Sequence, residues 1–197
     1  KANYSHIIKE IPEQMDLERT AMNEMILHDD PKRAIRALSV SMRRFFVQAY
    51  QSFLFNKTLS LAFESSEDLF TTQDGDICFD NNGIIGKFID GLDQKLAIPL
   101  VGYSYYKKTR FHNQISRILH QEEISPKDFY LKEMQEVSSE GGFRQASIHC
   151  SDYSCKNDVV AFSLSRGSFA TIVLRDVKFT IQVHITTSSR CLHCADE

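Results

Sequence analysis

Apolar and polar positions alternate with helical spacing from the start of the chain. "EQMDLERTAMNEMIL" (Glu13 to Leu27) places Met15, Met22, Met25 and Ile26 among the apolar positions of an amphipathic helix. "HDDPKRAIRAL" restarts the pattern, with Asp30 suited to cap a helix and Pro31 to its first turn. A long helix is predicted from about Ser41 to Phe63. "DGDICFDNNGIIGKFI" is rich in turn residues, with short strands predicted at Ile77–Phe79 and Ile84–Phe88. "LAIPLVGYSYY" reads as extended, because Pro99 disfavours helix at the residue before it. "RFHNQISRILHQEE" returns to helical spacing, and "SPKDFYLKEM" predicts a further helix with Ser125 as cap. "EGGFRQASIHC" predicts a turn running into a strand, and "VVAFSLSRG" a second strand. No internal repeat or low-complexity tract is visible.

The long helix contains "FFVQAYQSFLFN" (Phe45 to Asn56), whose amides interrupt an aromatic run. Phe45, Ala49, Phe53 and Phe63 fall near one face, with Phe46, Tyr50, Leu54 and Leu61 beside them. So wide an apolar arc predicts a helix central to its domain. Arg44, Gln48 and Gln51 form a narrow polar stripe. A buried amide without a partner costs about 1–3 kcal/mol, so Gln48, Gln51 and Asn56 need partners. They either tie down neighbouring loops or face a bound nucleic acid, with Arg43 or Arg44 supplying charge.

The chain has 197 residues, 42% of them hydrophobic, which is enough for a folded core and argues against disorder. A formal net charge of -3 gives no global sign of nucleic-acid binding, so an RNA partner would have to meet a local basic patch. No apolar run approaches a membrane span, and no membrane partner is expected. Five cysteines in a chain of this size fit a secreted disulfide scaffold poorly, so an intracellular, cytoplasmic setting is expected. The chain opens on Lys1 rather than Met, and the expectation is a piece of a longer protein.

Several segments, in order, resemble the TruD family of RNA pseudouridine synthases. "AYQSFLFNKTLS" resembles its signature helix; "DGD" (Asp74 to Asp76) follows; "IPLVGY" (Ile98 to Tyr103) resembles its proline-glycine segment. "GGFRQAS" (Gly141 to Ser147) resembles an arginine-bearing strand entry, and "VAFSLSRGSFATIVLRD" (Val160 to Asp176) the closing motif. The resemblance implies an α+β fold. Residues 1–145 would be a mainly helical insertion domain with short strands. Residues 146–180 would be strands and a helix returning to a mixed-sheet catalytic domain, followed by an unaligned tail at 181–197. It also implies a helix capped by Ser168, although "FATIVLRDVKFTIQV" has the composition of a strand.

Family members convert a uridine of RNA, chiefly tRNA, to its carbon-linked isomer, with a catalytic aspartate and no cofactor or metal. That aspartate sits in a glycine-lysine-aspartate context upstream of the signature helix. Asp16, Asp29 and Asp30 lack that context, so no catalytic residue is assigned, and the chain alone is expected to be inactive. It is expected to supply RNA-binding and pocket-wall surface; the oligomeric state is left open. The alternative is a non-catalytic RNA-binding or interaction module.

The candidate RNA contacts are Arg44, Gln51, Asn56, Lys107, Lys108, Arg110, Arg144, Arg166 and Ser168. "SYYKKTRFH" interleaves Tyr105 and Tyr106 with three cations, a composition that suits looped or single-stranded RNA and equally a solvated loop. Arg144 follows a double glycine that permits close backbone approach. Arg166 and Ser168 adjoin a helix start, where a phosphate could sit or Ser168 could simply cap. Cys150 and Cys155, or Cys191 and Cys194, with His149 or His193, could in principle hold zinc and stabilise such a module, but the spacing alone is a weak signal.

Overall fold

Side chains that satisfy helix starts fix several boundaries of the chain. The structure, a computed structural model, describes residues 4–156, 159–165 and 168–176. The chain divides into two compact units, residues 1–146 and 147–197. In the first, helix α1 (Tyr4–Glu10) and helix α2 (Asp16–His28) are joined by Arg19, which donates to the carbonyls of Ile8 (3.3 Å) and Ile11 (2.9 Å). Helix α3 (Pro31–Arg36) is capped as predicted: Asp30 Oδ1 accepts from the N–H groups of Lys32 and Arg33, and Pro31 has no N–H to leave unsatisfied. Ser39 caps the 25-residue helix α4 (Val40–Glu64) by accepting from Met42 N–H.

A four-stranded antiparallel sheet follows, in the order β2-β1-β3-β4: β1 (Ile77–Phe79), β2 (Ile85–Lys87), β3 (Lys95–Leu100) and β4 (Gly142–Gln145). The β1–β2 turn is held by Asp80 Oδ1, which accepts from Asn82 and Ile84 N–H. β3 is central and buries Leu96, Ala97, Ile98 and Pro99. Proline is tolerated there because β1 pairs only with Lys95 and Leu96, so at Pro99 the ladder runs on the β4 side alone, against Phe143. Helix α5 (His112–Gln121) buries Ile115, Ile118 and Leu119 against Leu54, Phe55 and Ala62 of α4 and Leu96 and Ile98 of β3. This cluster is the main core, and α4 is central to it.

The buried face of α4 differs from the one hydrophobicity selects. It carries Arg43, Gln51, Leu54, Phe55, Thr58 and Ala62. Phe45, Phe53 and Phe63, which spacing places in the apolar arc, are 59%, 44% and 71% exposed, and Ala49 is exposed beside them. Both faces of this helix are apolar enough to be buried, so the choice is made by what the inner side chains can hydrogen-bond. "SPKDFYLKEM" also differs: its Ser125–Asp128 capping box closes only a 3-10 turn, Pro126–Phe129. Phe129 is buried and Tyr130 takes extended dihedrals, which ends the helix.

In the second unit, strand β5 (Cys150–Lys156) pairs antiparallel with β6 (Val159–Leu164), with a register shift between Ser151 and Ser154 where Asp152 takes a φ of 55°. The strand expected to run unbroken through "GGFRQASIHC" therefore stops at Gln145 and restarts at Cys150. Helix α6 spans Ala170–Asp176. Every strand pair among the described residues is antiparallel, and the fold is α+β. No helix among them is long and apolar enough to cross a membrane.

Candidate nucleic-acid interface

Two glycines far apart in sequence let three chain segments meet in the first unit. A Cβ on Gly102 would lie 2.1 Å from Gly141 N, and one on Gly141 would lie 2.6 Å from Leu100 O, so the two backbones cross where no side chain fits. Gly141 also has a φ of 98°. Beside the crossing, Tyr103 N–H donates to Ser139 O (3.0 Å) and Ser104 N–H to Glu140 O (3.2 Å). The third segment is α4: the Gln51 amide donates to Val101 O at 2.6 Å, from a side chain only 5% exposed. The interior amide of the aromatic run thus fastens the helix to the strand exit that leads into the crossing.

The crossing positions Arg144, which β4 directs onto α4. Its guanidinium lies 3.3 Å from Ser52 Oγ through both terminal nitrogens and stacks 5.1 Å above the Phe55 ring. No carboxylate within 4.0 Å pairs with it among the described residues. Asn56 is exposed one helical turn after Ser52. Lys107 and Lys108, on the loop leaving the crossing, are exposed and unpaired among the described residues. Between them and β4, Tyr106 packs on Phe143 with centroids 6.1 Å apart.

Other candidates are placed differently. Arg110 has 14% of its side chain exposed and donates to Asp68 O (2.8 Å) and Thr71 O (3.2 Å). It also ion-pairs with Glu67 at 3.7 Å and Asp76 at 3.2 Å. Asp76 is 3% exposed, the one buried carboxylate among the described residues, and it also accepts from Gln73 N–H. Arg110 is therefore a clamp between two loops, and the "DGD" segment supplies its partner. Asp68, below it, is held under the ordinary carboxylate range by the Thr71 hydroxyl first and then by the N–H groups of Phe70 and Thr71.

Tyr105, paired with Tyr106 by the sequence, is 7% exposed, and its hydroxyl meets His112 Nδ1 at 2.9 Å; burial raises its pKa. Arg44 is exposed and donates to Glu136 O at 2.7 Å, while buried Arg43 donates to Leu38 O (3.1 Å) and Glu136 Oε1 (2.6 Å). The Glu136 carboxyl is held below its ordinary range by its own backbone N–H and then by Arg43.

In the second unit, Ser168 N–H donates to Ser165 O and the two hydroxyls are 3.1 Å apart. Helix α6 starts two residues later, at Ala170, rather than directly after Ser168. Arg166, Cys191, His193 and Cys194 lie outside the described residues. Cys150 and Cys155 are free thiols on β5, and among the described residues no three His, Cys, Asp or Glu side chains could hold a metal. The packing of Tyr106 on Phe143 was not predicted; Gly102 and the double glycine Gly141-Gly142 were the available signal.

Fold and crossing define an α+β chain with a cation-and-aromatic surface on one loop. A solved structure named as a tRNA pseudouridine synthase D (TruD) from Methanosarcina mazei shares this fold, with a TM-score of 0.71 at 24% identity over 88% of this chain and 46% of its own. The family described as tRNA pseudouridine synthase D (TruD) matches residues 1–177, and the chain belongs to that family. Relatives named "Probable tRNA pseudouridine synthase D" include those of Pyrobaculum islandicum (28% identical, 90% of this chain, 43% of the relative) and Methanopyrus kandleri (29%, 88% and 42%). The chain thus spans less than half the length of these two relatives.

Proposed function

We propose that this chain serves a tRNA pseudouridine synthase as its RNA-gripping and pocket-wall portion and supplies no attacking carboxylate itself. The observation that carries the reading is the glycine crossing. Among the described residues, it presents Lys107 and Lys108 without carboxylate partners next to Tyr106, which packs on Phe143, and Arg144, also without one, against Ser52 and the Phe55 ring of α4. Unneutralised cations next to aromatic rings suit a looped RNA, whose phosphates and unstacked bases are both available.

The nucleophile half of the reading rests on Asp76. A carboxylate that attacks a nucleobase needs an open, water-poor pocket that the base can enter, and Asp76 is only 3% exposed. Asp76 is paired with Arg110 and closes the Gln73 turn. A cleft of about 410 Å³ is lined by Leu119, His120, Glu123, Ile124, Ser125 and Asp128, and Asp76 is not among its walls. Arg144, Lys107, Lys108 and Asn56 form the proposed RNA surface, with Arg44 at its margin. Gln51 and Arg110 hold the scaffold beneath it. Ser168 and Arg166 are proposed as a separate phosphate contact in the second unit.

The test is titration of tRNA at several salt concentrations. Lys107→Ala with Lys108→Ala is expected to weaken binding and lower the log–log salt slope by about 0.7 for each phosphate that is no longer neutralised. Arg110 is left in place so that the fold is not at stake. Unchanged affinity and slope at low salt would refute the surface.

A further inference from the structure

The exposed tyrosines flanking the crossing are not explained by the core. Tyr103 and Tyr130 are 40% and 45% exposed, and their rings meet edge to face, with centroids 5.6 Å apart and planes at 85°. Neither hydroxyl has a hydrogen-bond partner among the described residues. Their backbones are nonetheless held firmly. Tyr103 N–H donates to Ser139 O, Ser139 N–H to Phe129 O and Tyr130 N–H to Lys127 O, each at 3.0 Å. Leu131 N–H donates to Ser138 Oγ at 2.9 Å. The 138–139 backbone thus lies between the two tyrosine segments and fixes both, while Gly102 sits against Gly141 one residue before Tyr103. Two rings on so constrained a frame lose little conformational freedom when something stacks on them.

The charges nearby point to the same ligand. Lys107, Lys108, Lys127 and Lys132 flank the pair in sequence, are exposed, and make no ion pair among the described residues. The acids of the same segments are already engaged. Asp128 accepts from the Ser125 N–H and hydroxyl, Glu133 from Lys32, Glu136 from Arg43 and Glu140 from the Ser104 hydroxyl. Asp128 and Glu140 keep their charge because their donors are neutral, but the four unpaired lysines outnumber them, so the balance of charge in these segments is positive and favours a ligand carrying both π-faces and phosphates.

We infer that Tyr103 and Tyr130 form a stacking platform for an unpaired base of the RNA, an assignment that rests on the gripping role proposed above. An edge-to-face pair leaves one ring face open. A base splayed from a loop can cover it, whereas a base inside a duplex cannot.

The chain contains no tryptophan, so Tyr103→Trp introduces a single indole fluorophore at the platform. The full chain carrying it is titrated with an end-labelled oligouridylate and, separately, with a blunt-ended RNA duplex, while label anisotropy follows binding. Saturating quenching of the indole by the oligouridylate, in step with anisotropy and absent with the duplex, is expected. In a Tyr130→Ala background the affinity should fall about fivefold or more at an unchanged salt slope. Tyr130→Phe keeps the ring and should restore binding, which separates stacking from a folding defect. Binding with unchanged indole emission would overturn the platform and leave the gripping role standing. Equal quenching by the duplex would also overturn it. No binding to either RNA at low salt would overturn both.

Discussion

The two faces of α4 reverse the usual sorting of side chains. The inner face buries Arg43, Gln51 and Thr58 among Leu54, Phe55 and Ala62, while the outer face exposes Phe45, Phe53 and Phe63. Each inner polar group is answered: Gln51 by Val101 O, Thr58 by Leu54 O, Arg43 by Leu38 O and Glu136. A satisfied amide costs little to bury, and an unsatisfied one a great deal, so hydrogen-bond partners decide the inner face as much as hydrophobicity does. The outer rings meet mostly each other and long polar stems. Phe45 tilts against Phe46 at 6.4 Å, and Lys57 lies 4.9 Å from the Phe53 ring centre. The inner face therefore holds the fold, and the outer one adds little to it.

The sharpest way to break this comparison is to truncate one residue on each side. Leu54→Ala removes a side chain 1% exposed and is expected to cost about 2–5 kcal/mol of unfolding free energy by urea titration. Next comes Gln51→Leu, which leaves Val101 O without its donor; a loss of about 1–3 kcal/mol is expected, with thermal melting as the check. If Gln51→Leu proved neutral, the amide would not be what selects the inner face.

Acid should weaken the Arg43–Glu136 ion pair at the N-terminal end of α4. The Glu136 carboxyl is depressed in the folded state, so its contribution is complete above the unfolded carboxylate value of about 4.3 and fades as pH falls through the folded value. Melting temperature is expected to drop in that acid window, and Glu136→Gln to flatten the drop. The smallest effect belongs to the outer face. Phe45→Ser and Phe63→Ser are each expected within about 0.5 kcal/mol of the parent, while lowering the binding of a hydrophobic dye. A loss as large as that of Leu54→Ala would reverse the comparison.

Local chemistry was legible in the sequence. Asp30 and Pro31 announced α3, and β1 falls at the expected Ile77–Phe79. The double glycine Gly141-Gly142 marked a close backbone approach, although the partner of Gly141, Gly102, lies 39 residues earlier and could not be named. What failed was long-range. Helical spacing gathers Phe45, Phe53 and Leu54 into one wide apolar arc and sets Gln51 in a polar stripe, but it does not show which side of the turn meets β3. Likewise "YYKKTR" shows cations beside aromatics, but the groups that withdraw Arg110 and Tyr105 from the surface are Asp76 and His112, brought there by folding. The α+β class and the family were recoverable because they depend on the order of segments rather than on the direction of any one side chain.

The central claim is that this chain grips RNA without owning the attacking carboxylate. Its most direct test is to incubate tRNA with a stoichiometric excess of the chain, digest the RNA to nucleosides and quantify pseudouridine by chromatography. The account predicts that uridine is recovered unchanged. Pseudouridine formed at a defined position would contradict it, and its loss in Asp76→Asn, with the fold intact, would make an attacker of Asp76, whose burial argues against that role.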